Sequence, residues 1–211
     1  MKSYSLLLIG LVTASLLCFS GCQPTSPSEQ VRAEEPADSQ HQLPLYIGTY
    51  TRKEGHVDGK ASGIYFATLD ARTGSIAVQD STAGIINPSF VKMSLDGKSL
   101  YAVSEVGEGE IYAYSVGEDF TLSFRNKIPS GALAPCHIAV DATDRFVIVS
   151  NYGGGVVNVC ERTPSGGLVE LQRLTLNGPD DDAATHAHSA TFSPDNKQVF
   201  IMDLGKDRIW S

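Results

Sequence analysis

A chain of 211 residues, of which 42% are hydrophobic, has room for one ordinary domain and enough apolar side chains for a core. Charged residues make up only 19%, and the 20 glycines and 10 prolines favour an all-β protein with many turns over a helix bundle. The formal net charge of −8 comes without a Lys/Arg cluster, which argues against a nucleic-acid partner.

The first segment, residues 1–22, predicts a signal peptide for export. A basic start precedes residues 6–19, which are almost wholly apolar but fewer than the roughly 20 that a membrane-spanning helix needs. Ser20-Gly21-Cys22 then resembles the bacterial lipobox, although Phe19 stands where that motif usually has Leu. We expect an exported lipoprotein anchored through Cys22 on the periplasmic or cell-surface side. The alternative is a plain secretory signal with an incidental Cys22.

Residues 23–43 form the next segment, which is poor in apolar side chains and rich in Pro, Ser, Gln and Glu. Such a sequence buries too little surface to offset the entropy lost on ordering. It predicts a disordered tether, with the folded domain at residues 44–211.

A repeat runs through this domain. Three segments align in phase: NPSFVKMSLDGKSLYAVSE (87–105), APCHIAVDATDRFVIVSNY (134–152) and HAHSATFSPDNKQVFIMDL (186–204). Each predicts a short first strand, a turn and a second strand ending in a polar residue. The copies start 47 and 52 residues apart, a period typical of β-propeller blades. A β-sandwich is the main alternative, but it does not require such spacing.

Further strands complete each predicted blade. Third strands are expected at 63–69, 110–116 and 155–162, and fourth strands at 76–81, 122–128 and 168–174. A partial earlier copy starts with a second strand at Leu45, and the last copy reaches only the start of a third strand at 207–211. We therefore expect a propeller truncated to about three to four blades, a fragment that on its own is not expected to be active.

Two cysteines remain in the folded part. Cys136 and Cys160 fall on the first and third strands of one predicted blade. Strands two apart in a sheet are separated by about twice the ~4.8 Å strand spacing, which exceeds the reach of a disulfide. We predict two free, buried thiols.

Seven motifs occur in order and carry a family resemblance: YIGTYT (46–51), GIY (63–65), NPSF (87–90), APCH (134–137), SNYGGG (150–155), HAHS (186–189) and DLGKDR (203–208). Together they resemble the seven-bladed β-propeller lactonase family, which includes bacterial 6-phosphogluconolactonases and fungal carboxy-muconate lactonizing enzymes. The resemblance covers residues 45–211. It implies hydrolysis of a sugar lactone, and it places other implicated acidic and basic residues in later blades.

Candidate site residues lie where first strands start and second strands end, because propeller sites usually open at a mouth of the central channel. Lactone hydrolysis needs a base that activates water, and histidine titrates in the right range. The resemblance aligns His188 with a catalytic histidine of the muconate-type members, and His186 is its expected partner. Substrate contacts are expected from His137, Glu105, Asn151, Asp203 and Arg208. We expect no cofactor and no bound metal.

Structural alternatives stay open for several of these residues. His137 is as suited to capping backbone groups, and Asn151 and Asp203 to tying loops together. His186 and His188 could pair on a metal, but no third ligand is evident. Gly153-Gly154-Gly155 predicts a tight hairpin, and Asp180-Asp181-Asp182 lacks the ligand spacing of a calcium loop and predicts a solvated loop.

Two other functions are compatible with the sequence. One is a non-catalytic propeller that binds a partner or polymer at the cell surface, which the predicted lipid anchor favours. The other is muconate-type lyase chemistry with the same histidine. Because a phosphorylated sugar lactone is a cytosolic metabolite, an exported enzyme is expected to meet an unphosphorylated one.

Overall fold

The computed structural model describes residues 41–176 and 184–211 of the chain. The predicted signal peptide, Cys22, most of the predicted tether and Asp180-Asp181-Asp182 lie outside these residues. Within the described ranges the regular structure is β-strand, and no helix there is long and apolar enough to cross a membrane.

Besides a two-stranded hairpin of β2 (Lys53–Glu54) and β3 (Val57–Asp58), the described residues form four larger antiparallel sheets in chain order, which we number blades 1 to 4. Blade 1 has the order β1-β4-β5, with β1 (Gln42–Ile47), β4 (Ile64–Asp70) and β5 (Ile76–Thr82). Blade 2 is β6 (Val91–Met93), β7 (Ser99–Ser104), β8 (Glu110–Val116) and β9 (Leu122–Pro129). Blade 3 is β10 (Leu133–Val140), β11 (Phe146–Gly153), β12 (Val156–Arg162) and β13 (Leu168–Thr175). Blade 4 is β14 (Ala187–Phe192), β15 (Val199–Asp203) and β16 (Arg208–Trp210).

The propeller architecture is confirmed by how these sheets connect. In blades 2 to 4 each strand pairs with its neighbours in sequence, and inner strands of consecutive blades contact each other, β7 with β10 and β10 with β14. A sandwich would stack two sheets face to face, whereas here each sheet meets the next one in chain order. The predicted third and fourth strands lie within one or two residues of the observed ones.

The apolar core lies between the blades, because alternate residues of a strand point to opposite faces of its sheet. In β7, Tyr101 and Val103 pack toward blade 3, whereas Leu100 and Ala102 pack toward blade 1. Strand β11 repeats this alternation: Val147 and Val149 face blade 2, and Ile148 faces blade 4. Near-continuous apolar runs in the second strands therefore serve two interfaces at once.

A set of polar contacts, which we call the turn clasp, joins the turns after the first strands. Asp144 and Asn196 hold the same position in blades 3 and 4, with φ of 58° and 59°. Asp144 accepts hydrogen bonds from the N–H groups of Leu95 (2.6 Å) and Asp96 (2.7 Å) in blade 2. Asn196 accepts one from the N–H of Ala142 in blade 3, at 2.9 Å. Each turn is thereby tied to the preceding one.

Three local features differ from the sequence-based prediction or refine it. Strand β1 begins at Gln42, so it takes in the last two residues of the predicted tether. A small hairpin of β2 (Lys53–Glu54) and β3 (Val57–Asp58) was not predicted. Cys136 in β10 and Cys160 in β12 are both free, as predicted, but Cys136 is half-buried and only Cys160 is fully buried.

Candidate functional site

Three aligned positions define a rim where the first strands start. Ser89, Cys136 and His188 occupy the same place in the three repeats. Cys136 Sγ lies 3.4 Å from the backbone oxygen of His188 in the next blade. This rim, formed by Ser89, Cys136 and His188, runs across blades 2 to 4, and we call it the strand-start rim.

His188 is the exposed member of the strand-start rim. Its ring meets the edge of the Tyr152 ring at a centroid distance of 5.8 Å and an interplanar angle of 84°. It lines an open groove of about 400 Å³ together with Asp203 and Arg208. The structure therefore brings three of the predicted site residues to one groove, with an accessible imidazole among them.

His186 is held more tightly than His188. Its ring stacks on Tyr152 with centroids 4.2 Å apart, and its Nδ1 lies 2.9 Å from the Tyr152 backbone oxygen. A carbonyl oxygen only accepts hydrogen bonds, so Nδ1 is the donor in this contact. The ring is thus fixed in orientation beside His188. Its predicted catalytic role stays a prediction.

Asp203 anchors this corner of the site. Its Oδ1 accepts hydrogen bonds from the N–H groups of His186 (2.8 Å) and Gly205 (3.1 Å), and its Oδ2 accepts one from Trp210 Nε1 (3.1 Å). Burial acts to raise the pKa of Asp203, but these hydrogen bonds outweigh it and the pKa is lowered. The carboxylate is therefore ionised and committed to backbone and Trp210 donors, which favours its structural alternative.

Asn151 is fully buried and does not face the groove. Its Nδ2 donates to Val156 O (3.0 Å) and Asn158 Oδ1 (2.8 Å), and Asn158 Nδ2 donates to Ser130 O of the neighbouring blade (2.9 Å). In this arrangement Asn151 ties β11 to β12 instead of reaching a substrate, because its side chain has no access to solvent.

His137 links three consecutive blades. Its ring lies 4.4 Å from that of Phe90 in blade 2, and its Nδ1 accepts a hydrogen bond from the Ala190 N–H in blade 4, at 3.3 Å. Burial lowers the pKa of His137, and electrostatic interactions with Lys92 and His188 lower it further. A neutral ring that accepts at Nδ1 matches the structural alternative for this residue.

Glu105 forms a second polar group of the site, in blade 2. Its Oε2 accepts hydrogen bonds from Tyr50 Oη at 2.8 Å and from Ser89 Oγ. Burial and this carboxylate together raise the pKa of Tyr50 to about 12. Burial and the Glu105 charge likewise raise the pKa of the Cys136 thiol to about 12. Through Ser89, Glu105 contacts one member of the strand-start rim.

Sequence reasoning missed Tyr50, Ser89 and Tyr152. The repeat alignment held a signal for two of them: Ser89 shares its position with His188, and Tyr152 shares its position with Glu105. Tyr50 lies before the first complete repeat and had no such signal. Among the described residues there is no group of three or more His, Cys, Asp or Glu side chains suited to holding a metal ion.

Comparison with known proteins finds relatives of this chain. A family model, "Lactonase, 7-bladed beta-propeller", matches residues 44–211. A 6-phosphogluconolactonase of Bacillus subtilis is 30% identical over 172 residues, which are 79% of this chain and 48% of that protein. A 6-phosphogluconolactonase of Formosa agariphila is 29% identical over 176 residues, 78% of this chain and 48% of that protein. The chain thus spans about half the length of the curated relatives it matches.

Solved structures give the same result. The structure of a candidate 6-phosphogluconolactonase from Bacteroides fragilis superposes with a TM-score of 0.72 at 26% identity, covering 83% of this chain and 49% of that one. A periplasmic gluconolactonase of Pseudomonas aeruginosa superposes with a TM-score of 0.69 at 26% identity, covering 80% and 49%. Each match again takes in about half of the neighbour.

Proposed function

The chain belongs to the seven-bladed β-propeller lactonase family, and we propose on this basis that the natural gene product hydrolyses a sugar lactone. The observation that carries the proposal is the open groove in which the exposed His188 meets Asp203 and Arg208. The names of the relatives support the substrate class, since the Bacillus subtilis and Formosa agariphila proteins are 6-phosphogluconolactonases.

In the proposed reaction His188 acts as the general base. It takes a proton from a water molecule, and the water oxygen attacks the lactone carbonyl carbon. The ring C–O bond then breaks as the protonated His188 returns that proton to the leaving ring oxygen, which gives the open hydroxy acid. Arg208 lies in the same groove, where a guanidinium binds an anionic or strongly polarised oxygen of the substrate. Tyr152 and His186 form the wall that sets the direction of the His188 ring.

The test is hydrolysis of glucono-δ-lactone and of its 6-phosphate by the purified natural gene product, after subtraction of the spontaneous rate. We expect His188→Ala to lower kcat by about 100-fold or more, the usual contribution of a general base. His56→Ala is the matched control, because His56 is an exposed histidine at the turn between β2 and β3. Equal rates for His188→Ala and the unaltered protein would remove His188 from the catalytic role. No hydrolysis by either would favour the non-catalytic binding propeller.

The cellular location is a separate proposal, which rests on residues 1–22 alone. A signal peptide ending in Ser20-Gly21-Cys22 would place the propeller outside the cytoplasm, tethered by a lipid on Cys22. There the enzyme would meet an unphosphorylated sugar lactone. Preference for glucono-δ-lactone over its 6-phosphate in the assay above is the result expected from this location.

A further inference from the structure

We propose that Tyr50 and Ser89 are positioning residues that hold Glu105 as the acceptor for hydroxyl groups of the substrate. The proposal rests on the proposed lactone hydrolysis and deepens it, because it assigns the residues that recognise hydroxyl groups of the sugar lactone. It concerns the blade 1 and blade 2 part of the site, away from the groove that holds Arg208.

The hydrogen bonds on the carboxylate give it one orientation. Tyr50 Oη and Ser89 Oγ both donate to Oε2 of Glu105, so two donors from different segments converge on one oxygen. Within residues 41–176 and 184–211, Oε1 has no hydrogen-bond partner. A carboxylate oxygen is an acceptor only, so Oε1 is left to receive an O–H or N–H from a bound molecule.

The segment that carries Tyr50 is itself clamped onto blade 2. The fully buried Asn87 accepts hydrogen bonds at Oδ1 from the N–H groups of Thr51 (2.9 Å) and Arg52 (3.0 Å). The N–H of Thr49 donates to Pro88 O at 2.8 Å. At Gly48 an added Cβ would lie 2.6 Å from that same Pro88 oxygen, so the backbones touch. Tyr50 is therefore placed by a built contact between two blades.

This carboxylate lies beside the strand-start rim that carries His188. Ser89, which binds Glu105, holds the same repeat position as Cys136 and His188, and Cys136 touches the backbone of His188. Tyr50, Glu105, Cys136 and His188 thus lie on one arc through four consecutive blades, in which Tyr50 contacts Glu105 and Cys136 contacts His188. A substrate whose carbonyl lies at His188 would extend its other end along this arc toward Glu105.

The chemistry of the arc selects for hydroxyl groups. Hydrogen bonds from a hydroxyl to an ionised carboxylate are stronger than neutral ones, and a site built to bind a hydroxyl discriminates against analogues that lack it. A like-charged substituent next to Glu105 would be repelled. Glucono-δ-lactone carries hydroxyls on its ring carbons, whereas δ-valerolactone has the same ring size and none.

The experiment compares Glu105→Gln, Tyr50→Phe and Ser89→Ala in the natural gene product on these two lactones. We expect Glu105→Gln to raise KM for glucono-δ-lactone about tenfold or more, and the other two changes to raise it about three- to tenfold, as loss of hydrogen bonds to a charged group predicts. The KM values of the three variants for δ-valerolactone should stay equal to that of the unaltered protein. Tyr65→Phe is the matched control, because its hydroxyl bonds the backbone of Ser62 and not Glu105.

A merely structural role would change both lactones alike, and that result, or no change with either, would overturn the proposal. A second measurement is the binding of a neutral polyhydroxylated lactam, followed by calorimetry. Because binding needs no turnover, it tests the role of Glu105 even if the protein does not hydrolyse lactones. If the unaltered protein hydrolyses neither lactone but Tyr50→Phe and Glu105→Gln weaken lactam binding, the proposal stands without the hydrolase. Lactam binding that is absent, or equal in all variants, overturns it. Should Tyr50→Phe fail to fold, Ser89→Ala carries the same comparison.

Discussion

The two histidines of the HAHS motif differ in how their rings are held. His186 stacks on Tyr152 and binds its carbonyl through Nδ1, whereas the His188 ring is exposed and meets Tyr152 only at an edge. His186 directly precedes β14 and His188 lies on it, and the two side chains share a neighbour but not an environment. The fixed ring suits an orienting role and the exposed ring suits proton transfer to a substrate.

The lowered pKa of His137 predicts that the stability of the fold depends on pH. Its pKa in the folded protein lies below the unfolded value of about 6.5, so the unfolded state binds more protons between the two values. The stabilising contribution is complete above pH ~6.5 and is lost as the pH falls through the folded pKa. In urea unfolding at pH 7.5 and pH 5.0, His137→Leu should lose less stability on acidification than the unaltered protein. His56→Leu is the exposed control, and equal losses in the unaltered protein and His137→Leu would contradict the prediction.

Neighbouring blades are joined by two kinds of contact, apolar packing between strands and hydrogen bonds between turns. Inner strands such as β7 and β11 divide their side chains between two interfaces, and the turn clasp joins the far ends of the same strands. The asymmetry between strands follows: inner strands are buried on both faces, whereas the outer strands β5 and β13 are almost wholly exposed.

The turn clasp should contribute measurable stability. Asp144→Gly removes the acceptor for two blade 2 N–H groups, while glycine adopts the positive φ without strain. We expect a loss of about 1–2 kcal/mol in the free energy of unfolding. Asp144→Asn keeps one acceptor oxygen and should lose less. Chemical denaturation measures both, and an unchanged midpoint for Asp144→Gly would show that the contact contributes nothing.

A second inter-blade contact depends on a strained residue. Phe120, in the β8–β9 turn, has φ of 62°, stacks on Phe66 of blade 1 at 5.2 Å, and accepts a hydrogen bond from Tyr46 Oη at its carbonyl (2.6 Å). Phe120→Ala loses the ring contact but keeps the unfavourable φ, whereas Phe120→Gly loses both the contact and the strain. We expect about 1 kcal/mol of destabilisation for Phe120→Ala and less for Phe120→Gly, by thermal or chemical unfolding. The reverse order would mean that positive φ carries no cost here.

The molecule as a whole combines four described blades with a predicted membrane anchor. The chain spans about half the length of its curated relatives, and the strand-start rim occupies blades 2 to 4 of the four described blades. The proposed export and lipid attachment concern residues 1–22, which precede the described blades in the chain.

The proposed lipid anchor at Cys22 can be tested by labelling. In a bacterial host, a clickable fatty acid should label the protein, and Cys22→Ser should abolish both the label and sedimentation with membranes. Cys18→Ser is the matched control, because Cys18 lies inside the apolar run of the signal. Export of Cys22→Ser with unchanged membrane association would contradict lipid attachment at this cysteine, and export of the unaltered protein without label would favour a plain secretory signal.

Much of the architecture followed from the chain alone. Strand β8 was predicted at its observed bounds, and the third and fourth strands of blades 1 to 3 lie within two residues of expectation, because their apolar alternation and flanking turns are local signals. In-phase repeats then placed His188, Asp203 and Glu105 at strand ends of one rim. Both inferences depend on spacing along the chain, which the sequence contains directly.

Contacts between blades were decided only by the tertiary structure. Tyr50 meets Glu105 across 55 positions, and Tyr152 meets His186 across 34. Neither contact follows from the repeat period, because each depends on how the blades pack together and on which way each side chain points. For the same reason the sequence left both a substrate contact and a structural role open for Asn151 and His137, and only the structure shows which strands they bond. A residue's place along a strand is local information, whereas its partners are set by packing between sheets.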